Sequence, residues 1–315
     1  MRNLDRKQDA ILITGPTASG KSALAIKLAR KTGGFVVNAD SMQVYAGLRI
    51  LSARPSAAEE AEVPHRLYGF VPADEEFSVG RYLAALAPLV ATARAGGKPL
   101  VIVGGTGLYF RAMTEGLVPT PAIPDDIRSF WRRQAEAGAD LHAELARRDP
   151  ARAAQLNPAD TPRLLRAIEL HAATGRSYSD WLAASPGEAM LRKGDYRGVF
   201  LDPDRAQLHA AIDRRFETMI AAGTLDEVRA LLGSAEAPAR NLGIMKAHGV
   251  PHLVDHLEGR ITLDEAIARG QSDTRRYARR QVIFARKYLA GPDWRWFSGA
   301  DAAAQAAAVL VPEFP

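Results

Sequence analysis

The chain has 315 residues, of which 47% are hydrophobic and 24% charged, as is typical of a globular protein with a sizeable core. It contains no cysteine, so disulfides, thiolate metal sites and cysteine nucleophiles are excluded. The formal net charge of +5 is compatible with a nucleic-acid partner but does not establish one.

The apolar runs are too short to cross a membrane. The longest, at residues 10–13 and 100–103, fall far below the roughly 20 residues that a spanning helix needs. The N-terminal sequence MRNLDRKQDA is polar and leads directly into the first apolar run, so no signal peptide is predicted. We expect a cytoplasmic protein with no membrane partner, and a monomer.

The first hundred residues alternate apolar strands with helical patterns, which is typical of a parallel sheet covered on both faces. The predicted elements are a strand at Ala10–Thr14, a helix at Ser22–Lys31, a strand at Phe35–Ala39, a helix at Arg81–Ala95 with a kink at Pro88, and a strand at Lys98–Val103.

The pattern changes after Gly116. Three prolines between residues 119 and 124 form a connector, and 125–185 reads as helix throughout. A strand at Gly198–Asp202 and helices at Arg205–Ala222 and Leu225–Leu232 then return to the first pattern. We therefore predict an α/β core formed by residues 1–116 and 198–315, interrupted by an all-helical insert at 117–197.

A phosphate-binding loop is predicted between the first strand and the first helix. The sequence GPTASGKS fits G-x-x-x-x-G-K-[ST] at every position, and the context is the strand–loop–helix that the mechanism needs. Backbone N–H groups and the helix N-terminus would bind phosphate, Lys21 would neutralise it, and the Ser22 hydroxyl would ligate a bridging Mg²⁺. The core is thus predicted to be P-loop NTPase-like, with phosphate held by Gly15, Pro16, Thr17, Ala18, Ser19, Gly20, Lys21 and Ser22.

The strand-end carboxylate that an ATPase or kinase requires is missing from the obvious strand. Residues 100–103 lead into Gly-Gly-Thr-Gly, whereas Asp40 follows the second strand. Because the carboxyl ends of neighbouring strands meet over one crevice, Asp40 and Thr106 are expected to face the phosphate site together. The alternative for Asp40 is a turn or helix-cap carboxylate.

Three motifs together resemble one family, the tRNA dimethylallyltransferases, also called tRNA isopentenyl-diphosphate transferases. They are GPTASGKS at 15–22, NADSMQVY at 38–45 and VGGTGLYFRA at 103–112. The resemblance covers nearly the whole chain, since it continues through VPHRLYGF at 63–70, PRLLRAIE at 162–169, MKAHGVPHL at 245–253 and TRRYARRQ at 274–281.

The resemblance implies transfer of a dimethylallyl group from its diphosphate to an adenine amine. The adenine would be the one 3′-adjacent to the anticodon, in tRNAs reading codons that begin with U, flipped into the site. By resemblance, Asp40 is the general base, Thr106 holds the amine or the base, and Gln43 reads the base edge. Arg229, in the stretch DEVRALL, would be a further diphosphate ligand beside the P-loop and Mg²⁺.

A second set of residues is implied to contact the tRNA anticodon stem-loop. Its members are Asp40, Ser41, Met42, Gln43, Thr106, Arg128, Pro162, Arg163, Leu164, Leu165, Arg166, Arg279, Arg280 and Gln281. Without the family, Arg275–Tyr288 has six Arg or Lys among 14 residues and no acidic one, which favours RNA phosphate contact. Its Tyr277, Gln281, Phe284 and Tyr288 share one helical face, for which core packing is the favoured interpretation.

Several positions depart from the family pattern, among them Phe284 and Ala285 in place of a common Trp-Phe pair. Two others bear on turn geometry and packing. The family usually has IGTAKP where residues 50–55 here read ILSARP, so Leu51 replaces a glycine and is expected to alter a tight turn. His248 stands where an aliphatic residue is usual, and we expect a change of packing rather than a new base.

Two other functions fit parts of the sequence. A P-loop small-molecule kinase would use the phosphate loop with Asp40 near a hydroxyl. A non-catalytic RNA-binding protein would use the arginine-rich helix and the insert, with the P-loop only sensing a nucleotide.

Overall fold

The computed structural model describes residues 9–185, 187–234, 237–240 and 242–313. They divide into two compact units, a larger one up to Thr114 and from Met190 onward, and a smaller one at Glu115–Ala189. The predicted insert, 117–197, extends further at its C-terminal end, because Tyr196 and Arg197 already pair with the first strand. Residues 1–8, on which the prediction of no signal peptide rests, lie outside the described residues.

The larger unit is built on one six-stranded sheet. Its strands are β1 (Ala10–Thr14), β2 (Phe35–Asn38), β3 (His65–Arg66), β4 (Leu100–Gly104), β5 (Tyr196–Asp202) and β6 (Trp294–Ser298). They run parallel in the order β3-β2-β4-β1-β5-β6. The central strands β1 and β4 are buried along their whole length, which is why they read as uninterrupted apolar runs.

Helices cover both faces of the sheet, as predicted. In chain order they are α1 (Lys21–Thr32), α2 (Ala57–Glu62), α3 (Val79–Gly96), α4 (Gly107–Glu115), α5 (Asp125–Glu136), α6 (Leu141–Arg148), α7 (Pro150–Ala153), α8 (Thr161–Thr174), α9 (Tyr178–Ala184), α10 (Arg205–Ala221), α11 (Thr224–Gly233), α12 (Val250–Leu257), α13 (Leu263–Tyr288) and α14 (Ala302–Leu310), with short 3-10 turns at Ile244–Lys246 and Val311–Glu313. Helix α3 continues through Pro88.

Alternate strand residues point to opposite faces, and each face has its own apolar cluster. Leu12 and Ile102 pack with α3 and α4, whereas Ile13 and Val103 pack with α1 and α14. A third cluster joins α10, α11, α12 and the N-terminal half of α13 beside the segment that follows Asp40. The third cluster therefore places α10 and α13 next to the strand-end loops.

The smaller unit consists of α5 to α9 around a core of its own, in which Leu145, Leu164 and Ile168 are fully buried. Asp149 is buried there and caps α7 through the Arg152 amide. Among the described residues, no helix of either unit is long and apolar enough to span a bilayer.

Candidate active site

Three loops meet at the carboxyl ends of adjacent strands in the larger unit. The P-loop follows β1, Gly105 and Thr106 follow β4, and Asp40 follows β2, with β4 lying between β1 and β2. A cleft lies above them, and Asp40 lines it together with Thr17 and Ala18 of the P-loop. Asp40 and the P-loop thus share one crevice.

The P-loop has a backbone that exposes its amides to an anion. Gly20, the residue before α1, has φ 83° and no side chain to cap the helix, and Ala18 also has a left-handed φ of 63°. A Cβ on Gly15 would lie 2.8 Å from the Leu201 carbonyl oxygen, so only glycine fits there. The N-terminal amides of α1 are therefore available to phosphate oxygens.

Lys21 lies inside this loop. Its Nζ donates to the Pro16 carbonyl oxygen at 3.1 Å. Burial lowers the pKa of Lys21 to about 8, opposed by the negative charge of Asp40 and reinforced by the positive charge of Arg215. A bound diphosphate would supply the anionic partner that the ammonium lacks at this depth.

Arg215 is a site residue that the sequence analysis missed. It lies on α10 and lines both the Asp40 cleft and an adjoining pocket with Ser22. Burial lowers its pKa, and the nearby Asp40 charge opposes that shift. A signal existed in the sequence, because Arg215 shares a helical face with Ile212 and Met219, and a cation on an apolar face needs a partner.

Arg229, the predicted diphosphate ligand, is placed differently. It lies on α11 with 62% of its side chain exposed and forms an ion pair with Asp226, three residues earlier on the same helix. A diphosphate contact by Arg229 stays a prediction, and Arg215 is an arginine that the fold brings to the cleft beside the P-loop.

The loop after β2 holds Asp40 in one orientation. The Asn38 side chain accepts from the Asp40 amide at 2.8 Å and donates to the Asp40 carbonyl oxygen at 2.9 Å. Asp40 Oδ1 accepts from the Met42 amide at 2.9 Å, and Thr106 Oγ1 accepts from the Ser41 amide at 2.9 Å. These bonds hold the loop and one carboxylate oxygen, Oδ1, in place. Through the Ser41 amide, the Thr106 side chain thus contacts the loop that carries Asp40.

The two glutamines predicted to contact RNA have their amide groups turned inward. Gln43 Nε2 donates to the carbonyl oxygens of Ser52 and Ala53, at 2.8 and 3.0 Å. Gln281 is 8% exposed and contacts two loops of the site, described below. These amide donors are bound to backbone carbonyls, and RNA contact by the two residues stays a prediction.

The cleft wall includes two of the positions that depart from the family pattern. Leu51 is buried and has an ordinary φ, and its amide donates to a Glu227 carboxylate oxygen at 2.9 Å. The His248 ring contacts the Tyr277 ring at a tilt of 41°, with centroids 4.4 Å apart, and burial lowers the pKa of His248. Leu51 is thus accommodated in the core. With its lowered pKa, His248 lines the wall of the cleft as an uncharged ring.

The remaining RNA candidates differ in exposure. Arg279 and Arg280 are exposed on α13. In the smaller unit Pro162 and Arg163 are exposed, whereas Leu165 is partly buried and Arg166 donates to Thr120 Oγ1 at 2.7 Å. Leu164 is fully buried in that unit's core, so its assignment to RNA contact is corrected.

A magnesium ion fits the residues at the start of α1. Ser22 is exposed there and lines the pocket that Arg215 also lines. In the described part of the chain no cluster of three or more His, Asp or Glu side chains could hold a metal alone. Mg²⁺ usually takes one or two protein oxygens and completes its shell with substrate phosphates and water, which this donor set allows.

Comparison with known proteins gives an independent finding. The family model described as IPP transferase matches residues 43–288. A tRNA dimethylallyltransferase from Methylocella silvestris is 54% identical over 290 residues, covering 91% of this chain and 95% of that protein. A protein of the same name from Methylobacterium nodulans is 52% identical over 301 residues, covering 93% of this chain and 96% of that protein.

Solved structures give the same result. The full-length tRNA isopentenylpyrophosphate transferase from Bacillus halodurans is 28% identical with a TM-score of 0.67, covering 98% of this chain and 97% of that one. A eukaryotic dimethylallyltransferase acting on tRNA is 25% identical with a TM-score of 0.81, covering 98% of this chain and 79% of that one.

Proposed function

The chain belongs to the IPP transferase family, and we propose that it is a tRNA dimethylallyltransferase. It transfers the dimethylallyl group of dimethylallyl diphosphate to the exocyclic amine of the adenine 3′-adjacent to the anticodon, in tRNAs reading codons that begin with U. The observation that carries the proposal is the cleft in which Asp40 lies beside the P-loop and two partly buried cations, Lys21 and Arg215.

In the reaction, C1 of the dimethylallyl group gains a bond to nitrogen and loses its bond to oxygen. The adenine nitrogen attacks C1 of the dimethylallyl group, and the C1–O bond breaks with its electron pair passing to diphosphate. Charge therefore develops on the leaving group, where the P-loop amides, Lys21 and Arg215 stabilise it. The amine becomes acidic as it attacks, and Asp40 Oδ2 accepts its proton. No water is activated, which agrees with the missing strand-end acid.

We include Mg²⁺ as the cofactor. Ser22 would hold it together with diphosphate oxygens and water. When bound, the ion supplies further positive charge to the leaving diphosphate.

The comparisons do not favour a small-molecule kinase, since the named relatives are tRNA dimethylallyltransferases. A purely RNA-binding role likewise fails to use the partly buried cations around the P-loop. Phosphoryl transfer from ATP to a metabolite would be the result that restores the kinase hypothesis.

The proposal is tested by incubating the protein with tRNA, dimethylallyl diphosphate and Mg²⁺, followed by mass spectrometry of the nucleosides. We expect a dimethylallyl mass increment on adenosine, located next to the anticodon by fragment mapping. Its absence with both substrates saturating would overturn the assignment.

Cytoplasmic location and a monomeric state remain predictions from the sequence. Sedimentation equilibrium with and without an anticodon stem-loop RNA would measure the oligomeric state.

A further inference from the structure

The side chain of Gln281 connects two loops of the active site. Its Oε1 accepts from the Thr17 amide in the P-loop at 3.0 Å. Its Nε2 donates to the Gly105 carbonyl oxygen after β4 at 2.9 Å. The residue lies on α13, 264 positions from Thr17, so the contact is built by the fold and not by neighbouring sequence.

The space around this amide is closely matched to it. A Cβ placed on Gly105 would lie 2.1 Å from Gln281 Nε2 and 3.2 Å from Asp40 Oδ2. The glycine at position 105 therefore lets the amide approach the loop and keeps Asp40 close to it. The Tyr277 hydroxyl, one turn earlier on α13, is within hydrogen-bonding reach of both Thr106 and Gln281.

The P-loop needs such an anchor. Ala18 follows Thr17 directly and has a φ of 63°, a left-handed conformation that is unfavourable for a residue with a Cβ. A strained conformation of this kind persists only where the surroundings determine it. The bond from the Thr17 amide to Gln281 restrains the Pro16–Thr17 peptide, one residue before the strained Ala18.

We propose that Gln281 is a positioning residue for prenyl transfer. Its amide fixes the separation of the P-loop from the loop of Gly105 and Thr106, and thereby places the diphosphate relative to Asp40. This role replaces the RNA contact expected for Gln281, while its exposed neighbours Arg279 and Arg280 retain theirs. The inference rests on the proposed function.

The test compares two substrates on matched variants. Gln281→Met keeps the length of the side chain and removes both hydrogen bonds. Gln281→Glu keeps the acceptor for the Thr17 amide and loses the donor to Gly105. Gln271→Met is the control, because Gln271 lies on the same helix and bonds α10 through Asp213 and Glu217 instead of the loops.

Steady-state KM for dimethylallyl diphosphate and Kd for an anticodon stem-loop RNA are measured for each protein. For Gln281→Met we expect KM to rise roughly 10- to 100-fold, the effect of losing two buried hydrogen bonds, with RNA Kd within about twofold of wild type. Gln281→Glu should be intermediate, and Gln271→Met should match wild type in both.

An unchanged KM in the Gln281 variants overturns the inference, even where the thermal midpoint falls, because a purely structural glutamine lowers stability without altering diphosphate binding. A loss confined to RNA affinity also overturns it and returns Gln281 to the RNA surface. If Gln281→Met does not fold, Gln281→Glu carries the same comparison. Failure of the proposed function is distinguished by the wild type, which would then form no prenylated adenosine.

Discussion

Lys21 and Arg215 of the larger unit and Arg163 of the smaller unit lie in different environments. In the larger unit, burial lowers the pKa of both Lys21 and Arg215, and the charge of Asp40 opposes the shift in each. In the smaller unit, Arg163 keeps 65% of its side chain exposed and pairs with Asp160 at 2.6 Å.

This difference separates the side chains expected to act in the reaction from those expected to attract RNA. Exposed ion pairs such as that of Arg163 contribute about 0–1 kcal/mol and exchange partners easily, so an RNA phosphate can replace the carboxylate. A buried cation is costly without an anion, and its position is therefore informative. The larger unit is expected to determine the reaction, and the smaller unit to contribute affinity.

The most severe test of this division is Asp40→Asn. Asparagine keeps an oxygen to accept from the Met42 amide, so the loop geometry survives, but the proton acceptor is lost. We expect the rate of prenyl transfer to fall roughly 10²- to 10⁴-fold at pH 7. Single-turnover formation of dimethylallyladenosine measures the rate. Stem-loop Kd should stay within about twofold, and unchanged turnover would remove Asp40 from its role.

A second test distinguishes a partly buried arginine from an exposed one within the larger unit. Arg215→Met should raise KM for dimethylallyl diphosphate roughly 30-fold or more, because it removes a desolvated charge beside the leaving group. Arg229→Met is the matched control and should change KM by about twofold or less, since Arg229 pairs with Asp226 in solvent. The reverse result would favour Arg229 as the diphosphate ligand.

The parts of the fold that could be predicted from sequence are those with a local signal. The strands β1 and β4 were predictable because every residue in them is buried. The two-residue β3, His65–Arg66, gives no periodicity, and it forms only by pairing with β2 at the edge of the sheet. The helical character of the smaller unit could be predicted because its apolar side chains recur at helical spacing and form its core.

The site divides in the same manner. The P-loop and Asp40 follow their strands directly, so strand order alone brings them together. Arg215 and Gln281 reach the site only because α10 and α13 pack beside the loops, and no local pattern gives that packing. The role of Arg229 stays a prediction, because a motif position does not reveal which way a helix faces.

The pH dependence of substrate binding sharpens the picture of Lys21. The free enzyme has a Lys21 pKa of about 8, and a bound diphosphate raises it, so binding takes up a proton above that pH. Kd for dimethylallyl diphosphate should be flat just below pH 8 and rise toward about tenfold per pH unit above it. Calorimetry at several pH values measures this rise in Kd. Lys21→Arg, whose guanidinium stays protonated throughout this range, should lack this rise in Kd, and an identical profile would contradict the assignment.

The smallest effect is expected in the smaller unit. Arg163→Ala should weaken stem-loop binding about two- to fivefold and reduce the slope of log Kd against log salt by about one, the signature of one lost phosphate contact. KM for dimethylallyl diphosphate should not change, because Arg163 belongs to the other unit.

Fluorescence anisotropy at several salt concentrations measures the slope, with Asp160→Ala as the control that frees Arg163 from its ion pair. That control should bind RNA at least as tightly as wild type, since removing the carboxylate removes the competitor for the guanidinium. Equal salt slopes in all three proteins would place the RNA contact elsewhere and break the division of labour between the units.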